Sequence, residues 1–185
     1  MAPDSRSKGL IIFYSRTGKT RTITGTMRDI LGYHFQEIID LKGRSGFLGY
    51  MSGIIDIFFR PITEIVPKEV NFDNYDFLLI GSPIWGNRFP PAITTFFNMA
   101  RFTGKKVVLF ATFGSHMKES ILDKYSNFIT DRGGKVIGTF KIKTRSKYLD
   151  TIKDEVKRIL VENAERWNLP NRVKTPSQGL GTTIH

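Results

Sequence analysis

The feature that most constrains this chain is an alternation between short, continuously apolar runs and stretches whose apolar residues recur at helical spacing. Leu10 to Tyr14, Phe77 to Ile80, Val107 to Ala111 and Val136 to Phe140 are four such runs, and the more polar Phe35 to Asp40 makes a fifth strand. Continuous apolarity marks strands covered on both faces, as the strands of a parallel sheet are. Between them come Ile23, Met27, Ile30 and Leu31 before Gly32, then Ile93, Phe96, Phe97 and Ala100 after Pro90 and Pro91. Met117, Ile121, Phe128 and Ile129 follow, and finally Ile152, Val156, Ile159, Leu160 and Trp167. Each set fits one face of a helix. Strand and helix in repeated alternation close as an open parallel sheet with helices on both faces, joined by right-handed crossovers. The expected class is α/β, with three layers built on five parallel strands.

At 185 residues the chain has the size of one domain and can bury a substantial core. We read a single domain over residues 1–167 and a flexible tail over 168–185, where Pro, Gly, Ser and Thr dominate. The irregular part is Leu41 to Tyr75, which carries Gly43, Gly46, Gly49 and Gly53, the last opening the apolar GIIDIFF ahead of Pro61, and is expected to form one helix plus a loop. The absence of cysteine excludes disulfides, thiolate metal sites and any cysteine nucleophile, so redox chemistry would require a bound cofactor. No catalytic side chain and no metal ligand set is expected. The apolar stretch Phe47 to Phe59 spans thirteen residues, where a membrane helix needs roughly 20, so a cytoplasmic location is expected.

In an open α/β sheet, ligands bind outside the carboxyl ends of the strands, which directs attention to three loops. The first is Ser15-Arg16-Thr17-Gly18-Lys19-Thr20, a run of hydroxyls around one glycine just before a helix. Hydroxyls, unpaired amides and the positive helix end together suit a phosphate. Gly18-Lys19-Thr20 also resembles the end of a P-loop, but that pattern requires glycine at position 13, where Phe13 stands inside the strand. The second loop, Ser82-Pro83-Ile84-Trp85-Gly86-Asn87, places an indole between proline and glycine. Trp85 either folds into the core or stacks on a planar ligand, and its position at a strand end favours stacking. The third loop, Thr112-Phe113-Gly114-Ser115, offers small residues and one aromatic at the same crevice.

These loops carry a resemblance to a known family. Ser15 through Thr20 is similar to the S/T-x-T-G-x-T phosphate loop of flavodoxins, and the SPIWGN and ATFGS loops resemble the two flavin-ring loops, in the same order along residues 9–167. The resemblance implies a flavodoxin-like sheet of strand order 2-1-3-4-5 and FMN as cofactor. It further implies that Ser15, Thr17, Gly18, Lys19 and Thr20 surround the phosphate, with Arg16 contributing its amide. Ser82, Pro83, Ile84, Trp85, Gly86 and Asn87 would line the flavin ring, and Thr112, Phe113, Gly114 and Ser115 its other side. Small electron-carrying flavodoxins are typically acidic, and this chain departs from them with a net charge of +11.

The charge lies mainly in the second half: residues 1–92 hold 11 basic and 9 acidic side chains, residues 93–185 hold 17 and 8. Lys141, Lys143, Arg145 and Lys147 alternate, so on an extended edge strand they would share one face. Such a stripe either protects the edge from pairing or docks an anion. The functional expectation is an FMN redox protein, exchanging electrons with an acidic redox partner or passing them from NAD(P)H to a quinone. The alternative is a flavin-free module that docks an acidic partner or an anionic membrane surface through its basic half. Nucleic acid is not expected, because aromatics are not interleaved with the basic residues.

Overall fold

The computed structural model describes residues 9–41, 62–169 and 173. The elements are Gly9–Tyr14 (β1), Lys19–Leu31 (α1), His34–Asp40 (β2), Ile65–Val66 (β3), Phe77–Pro83 (β4), Pro91–Met99 (α2), Lys106–Phe113 (β5), Ser120–Thr130 (α3), Lys135–Lys143 (β6) and Leu149–Glu162 (α4). The strands form one sheet in the order β3-β2-β1-β4-β5-β6. Its five longer strands are parallel and follow the expected order.

The expectation of five strands requires one correction. Ile65 and Val66 add a sixth, antiparallel strand on the outer edge of β2, pairing Ile39 with Val66 and Asp40 with Ile65. Two residues ended by Pro67, which has no N–H to give, leave too short a run to read as a strand. Of the predicted helix and loop between residues 41 and 75, residues 42–61 lie outside the described residues, and 62–75 contain β3 and turns but no helix.

The pleat divides the core in two. Leu10, Ile12, Leu78, Ile80, Leu109 and Ala111 face α2 and α3, whose Ile93, Phe96, Phe97, Ile121 and Ile129 complete one buried layer. Ile11, Leu79, Val108 and Phe110 face α1 and α4, where Ile23, Met27, Ile152, Val156 and Leu160 complete the other. Each fully buried side chain of this kind contributes roughly 1.5–3 kcal/mol of transfer free energy, so the two layers dominate folding. Val136 to Phe140 departs from the expectation of a strand covered on both faces. It belongs to the edge strand β6, and its residues are half-buried or exposed. Strand β6 stops at Lys143, and Ser146 at φ 60° lies in the left-handed region, so Arg145 and Lys147 do not continue the alternating face that begins with Lys141 and Lys143. Beyond residue 167, Leu169 and Val173 pack into the α1–α4 layer, and the other residues from 170 onward lie outside those described.

Candidate functional site

The carboxyl ends of β1, β4 and β5 bring all three predicted loops to one place. A cavity of about 240 Å³ opens there, lined by Arg16, Thr17, Lys19 and Thr20 from the first loop, Pro83, Ile84 and Trp85 from the second, and Thr112, Phe113 and Gly114 from the third. Thr144, just beyond β6, forms a fourth wall that nothing local in the sequence singled out. Among the described residues no carboxylate lines this cavity.

The first loop ends at Gly18, which caps α1 at φ 84°, a left-handed conformation that a side chain rarely adopts. Among the described residues no side chain caps α1, and its first turn holds no acidic residue. The opening amides therefore have no intrahelical acceptor, and the positive helix end is uncompensated. The Ser15 hydroxyl is buried beside this turn and, among the described residues, has no hydrogen-bond partner. A buried hydroxyl left unmet costs roughly 1–3 kcal/mol, which an anion acceptor would relieve.

Two of the predicted phosphate contacts are otherwise engaged. The Thr20 hydroxyl is buried and meets the Thr112 hydroxyl at 2.9 Å. Lys19 Nζ donates to the Thr144 carbonyl at 3.2 Å and so reaches across the cavity to the loop after β6. Thr17 is exposed at the cavity lip, where its hydroxyl can reach a ligand.

The second loop is a tight reversal. Trp85 and Arg88 exchange both backbone hydrogen bonds at 2.9 Å, with Gly86 at φ 52° and Asn87 at φ 59° between them. Two successive positive φ angles define a type I′ turn, which favours Gly and Asn. Trp85 is half-buried, so neither sequence alternative holds in full. Its ring meets Tyr14 edge-on at 5.7 Å, and the Arg16 guanidinium lies 4.6 Å from its centre. Ser82, by contrast, is fully buried, and its hydroxyl donates to the Pro83 carbonyl at 3.0 Å, which keeps it out of the cavity wall. Ser115 is exposed outside the lining, and Gly86 and Asn87 face a neighbouring cavity.

Long-range hydrogen bonds brace the loops against one another. Ile84 N–H donates to the Thr112 carbonyl at 2.8 Å, Thr144 N–H to the Phe113 carbonyl at 2.8 Å, and Lys118 N–H to Asn87 Oδ1 at 3.0 Å. The loops thus form a preorganised frame, which lowers the ordering cost of binding. Among the described residues, no group of three or more His, Asp or Glu side chains could hold a metal ion, and no helix is long and apolar enough to cross a membrane.

A family model described as flavodoxin matches residues 53–152, more than half of the chain. Among solved structures, a protein from Bacteroides uniformis is similar with TM-score 0.68 at 23% identity, over 83% of this chain and 99% of its own. A flavoprotein from Lactobacillus acidophilus in complex with FMN is similar with TM-score 0.62 at 20% identity, over 88% of this chain and 99% of its own. Oxidised Flavodoxin 2 from Bacillus cereus is similar with TM-score 0.57 at 17% identity, over 86% and 99%. At these identities the structural likeness is one of fold. No curated protein is a significant match to the chain.

Proposed function

Because this chain belongs to the flavodoxin family, we propose that the cavity between its three loops binds FMN and that the protein exchanges electrons with negatively charged reaction partners through it. The observation that carries this reading is the opening of the uncapped start of α1 onto a cavity that no carboxylate lines among the described residues, with the buried Ser15 hydroxyl, unpartnered among those residues, beside it in the same loop. Both suit a phosphate monoester better than a neutral group.

In this reading the Ser15 and Thr17 hydroxyls and the amides at the start of α1 hold the phosphate. Trp85 and Phe113 flank the ring from the second and third loops, and Gly114, with open space where a Cβ would stand, lets the ring edge approach the backbone. FMN, when bound, supplies the electron uptake that no side chain here offers. The chain's own contribution is positioning and electrostatics. Arg16 and Lys19 set positive charge at the cavity, which favours a ligand that becomes more negative on reduction. The same field attracts an acidic redox protein, or NAD(P)H as donor to a quinone, more than a basic partner.

The test is titration of the purified protein with FMN and with riboflavin, followed by flavin absorbance and fluorescence. FMN is expected to bind about 100-fold more tightly or better, since two charge-assisted hydrogen bonds at roughly 1.5–3 kcal/mol each depend on the phosphate. Equal affinities would sink the phosphate assignment. A protein that takes up neither flavin would instead be a docking module on the same fold.

A further inference from the structure

Across the Trp85–Arg88 turn from the flavin cavity lies a second cavity of about 320 Å³. Arg88, Lys118 and Lys124 line it, and among the described residues no carboxylate does. Glu119, the neighbour of Lys118 in sequence, hydrogen-bonds Lys141 instead. Among the described residues neither Lys118 nor Lys124 has a carboxylate partner. Cations gathered around one concavity repel one another, and a bound anion turns that repulsion into attraction.

The attraction comes from side chains rather than from the helix start. The Ile121 and Leu122 amides of α3 already donate to the Lys118 and Glu119 carbonyls at 3.2 Å each. Asn87, also in the lining, adds a polar donor, because its Oδ1 is taken by the Lys118 amide and its NH₂ has no partner among the described residues. The space is also larger than a phosphate needs, equal to roughly ten waters at about 30 Å³ apiece. Ile121 and Tyr125 supply an apolar wall, and Tyr125 is held by stacking on Phe89 at 4.0 Å between ring centres.

We propose that this cavity is a second anion site, separate from the phosphate loop, that takes the phosphate of a small phosphorylated ligand with a ring-bearing body, the chemical class of the nucleotides. The shared Trp85–Arg88 turn places such a ligand beside the flavin cavity. Its use as an electron donor or acceptor rests on the flavin reading, whereas its binding does not.

The experiment is calorimetric titration of FMN-loaded protein, its phosphate loop filled, with adenosine monophosphate, adenosine and inorganic phosphate. If no FMN is taken up, the same titrations are run on the protein as purified, so failure of the flavin reading and failure of this site are separately visible. Adenosine monophosphate is expected to bind saturably and at least tenfold more tightly than either adenosine or phosphate. Lys118→Gln with Lys124→Gln should weaken it about 100-fold, roughly tenfold per charge-assisted contact, while FMN affinity changes less than twofold. Lys118→Arg with Lys124→Arg should keep the binding and the melting temperature. Equal binding of adenosine and its monophosphate, or a Gln variant that binds like the parent, would overturn the site. Phosphate binding as tightly as the nucleotide would overturn the ligand class.

Discussion

The hydroxyls of Thr20 and Thr112 meet at 2.9 Å inside the protein, joining the first turn of α1 to the end of β5. A residue that the sequence pattern assigns to phosphate thus also ties two loops of the cavity together. Thr20→Val should leave the Thr112 hydroxyl buried without a partner and lower stability by about 1–3 kcal/mol. Thr20→Val with Thr112→Val should recover most of that loss, because no polar atom is then stranded. Urea denaturation of the four proteins in the cycle gives the coupling energy. Strictly additive losses would show that the pair does not interact.

Ser15 is expected to behave in the opposite sense. Its hydroxyl is buried without a partner among the described residues, so Ser15→Ala should leave the stability of the flavin-free protein unchanged or raise it slightly. The same change should weaken FMN binding by roughly tenfold and riboflavin binding hardly at all, since only FMN brings an acceptor to that atom. Thermal unfolding without flavin and flavin titration together check it. A destabilised apoprotein with normal FMN affinity would place the Ser15 hydroxyl in the fold rather than the site.

Trp85 is both packing and wall. Half-buried against Tyr14 and beneath the Arg16 guanidinium, it should cost less on truncation to Ala than the roughly 3–5 kcal/mol of a fully buried tryptophan. FMN should quench its fluorescence, and Trp85→Phe should abolish most of that quenching, because Trp167, the second tryptophan, is buried against Phe140 in the α1–α4 layer. Quenching that survives in Trp85→Phe would place the flavin elsewhere.

The central strands were legible in the sequence because they are covered on both faces, so Leu10 to Tyr14, Phe77 to Ile80 and Val107 to Ala111 carry no polar interruption. The three loops were legible for a local reason too, each being a short run of turn-forming residues after such a strand. What joins the loops was not. Thr20 with Thr112, Lys19 with Thr144 and Asn87 with Lys118 are 92, 125 and 31 residues apart, and no periodicity or motif encodes such pairings. The type I′ geometry of Trp85 to Arg88 lies between these cases: Gly86 and Asn87 announce a turn, but only the backbone angles show that the turn folds Asn87 away from the flavin cavity and toward Lys118. Strand β3 escaped because its pairing partner, not its own two residues, makes it a strand.

The basic edge divides differently from its alternating pattern. Lys141 pairs with Glu119, and Lys147 donates to Glu155 at 2.6 Å. Lys143 and Arg145 are both exposed and, among the described residues, have no carboxylate partner. They flank Thr144, which lines the flavin cavity, so their charge acts on whatever approaches it. Lys143→Gln with Arg145→Gln should therefore slow reoxidation of the reduced FMN-loaded protein by ferricyanide severalfold at low salt. The effect should fade as salt rises, since the Debye length falls from about 30 Å at 0.01 M to about 10 Å at 0.1 M. A cationic oxidant such as hexaamminecobalt should respond in the reverse direction, which separates steering from a change in the flavin itself. Lys147→Gln, which breaks a partly buried pair away from the cavity lining, should cost some stability and leave both rates alone. If the double variant oxidises normally with both reagents but aggregates, Lys143 and Arg145 guard the exposed edge of β6 instead.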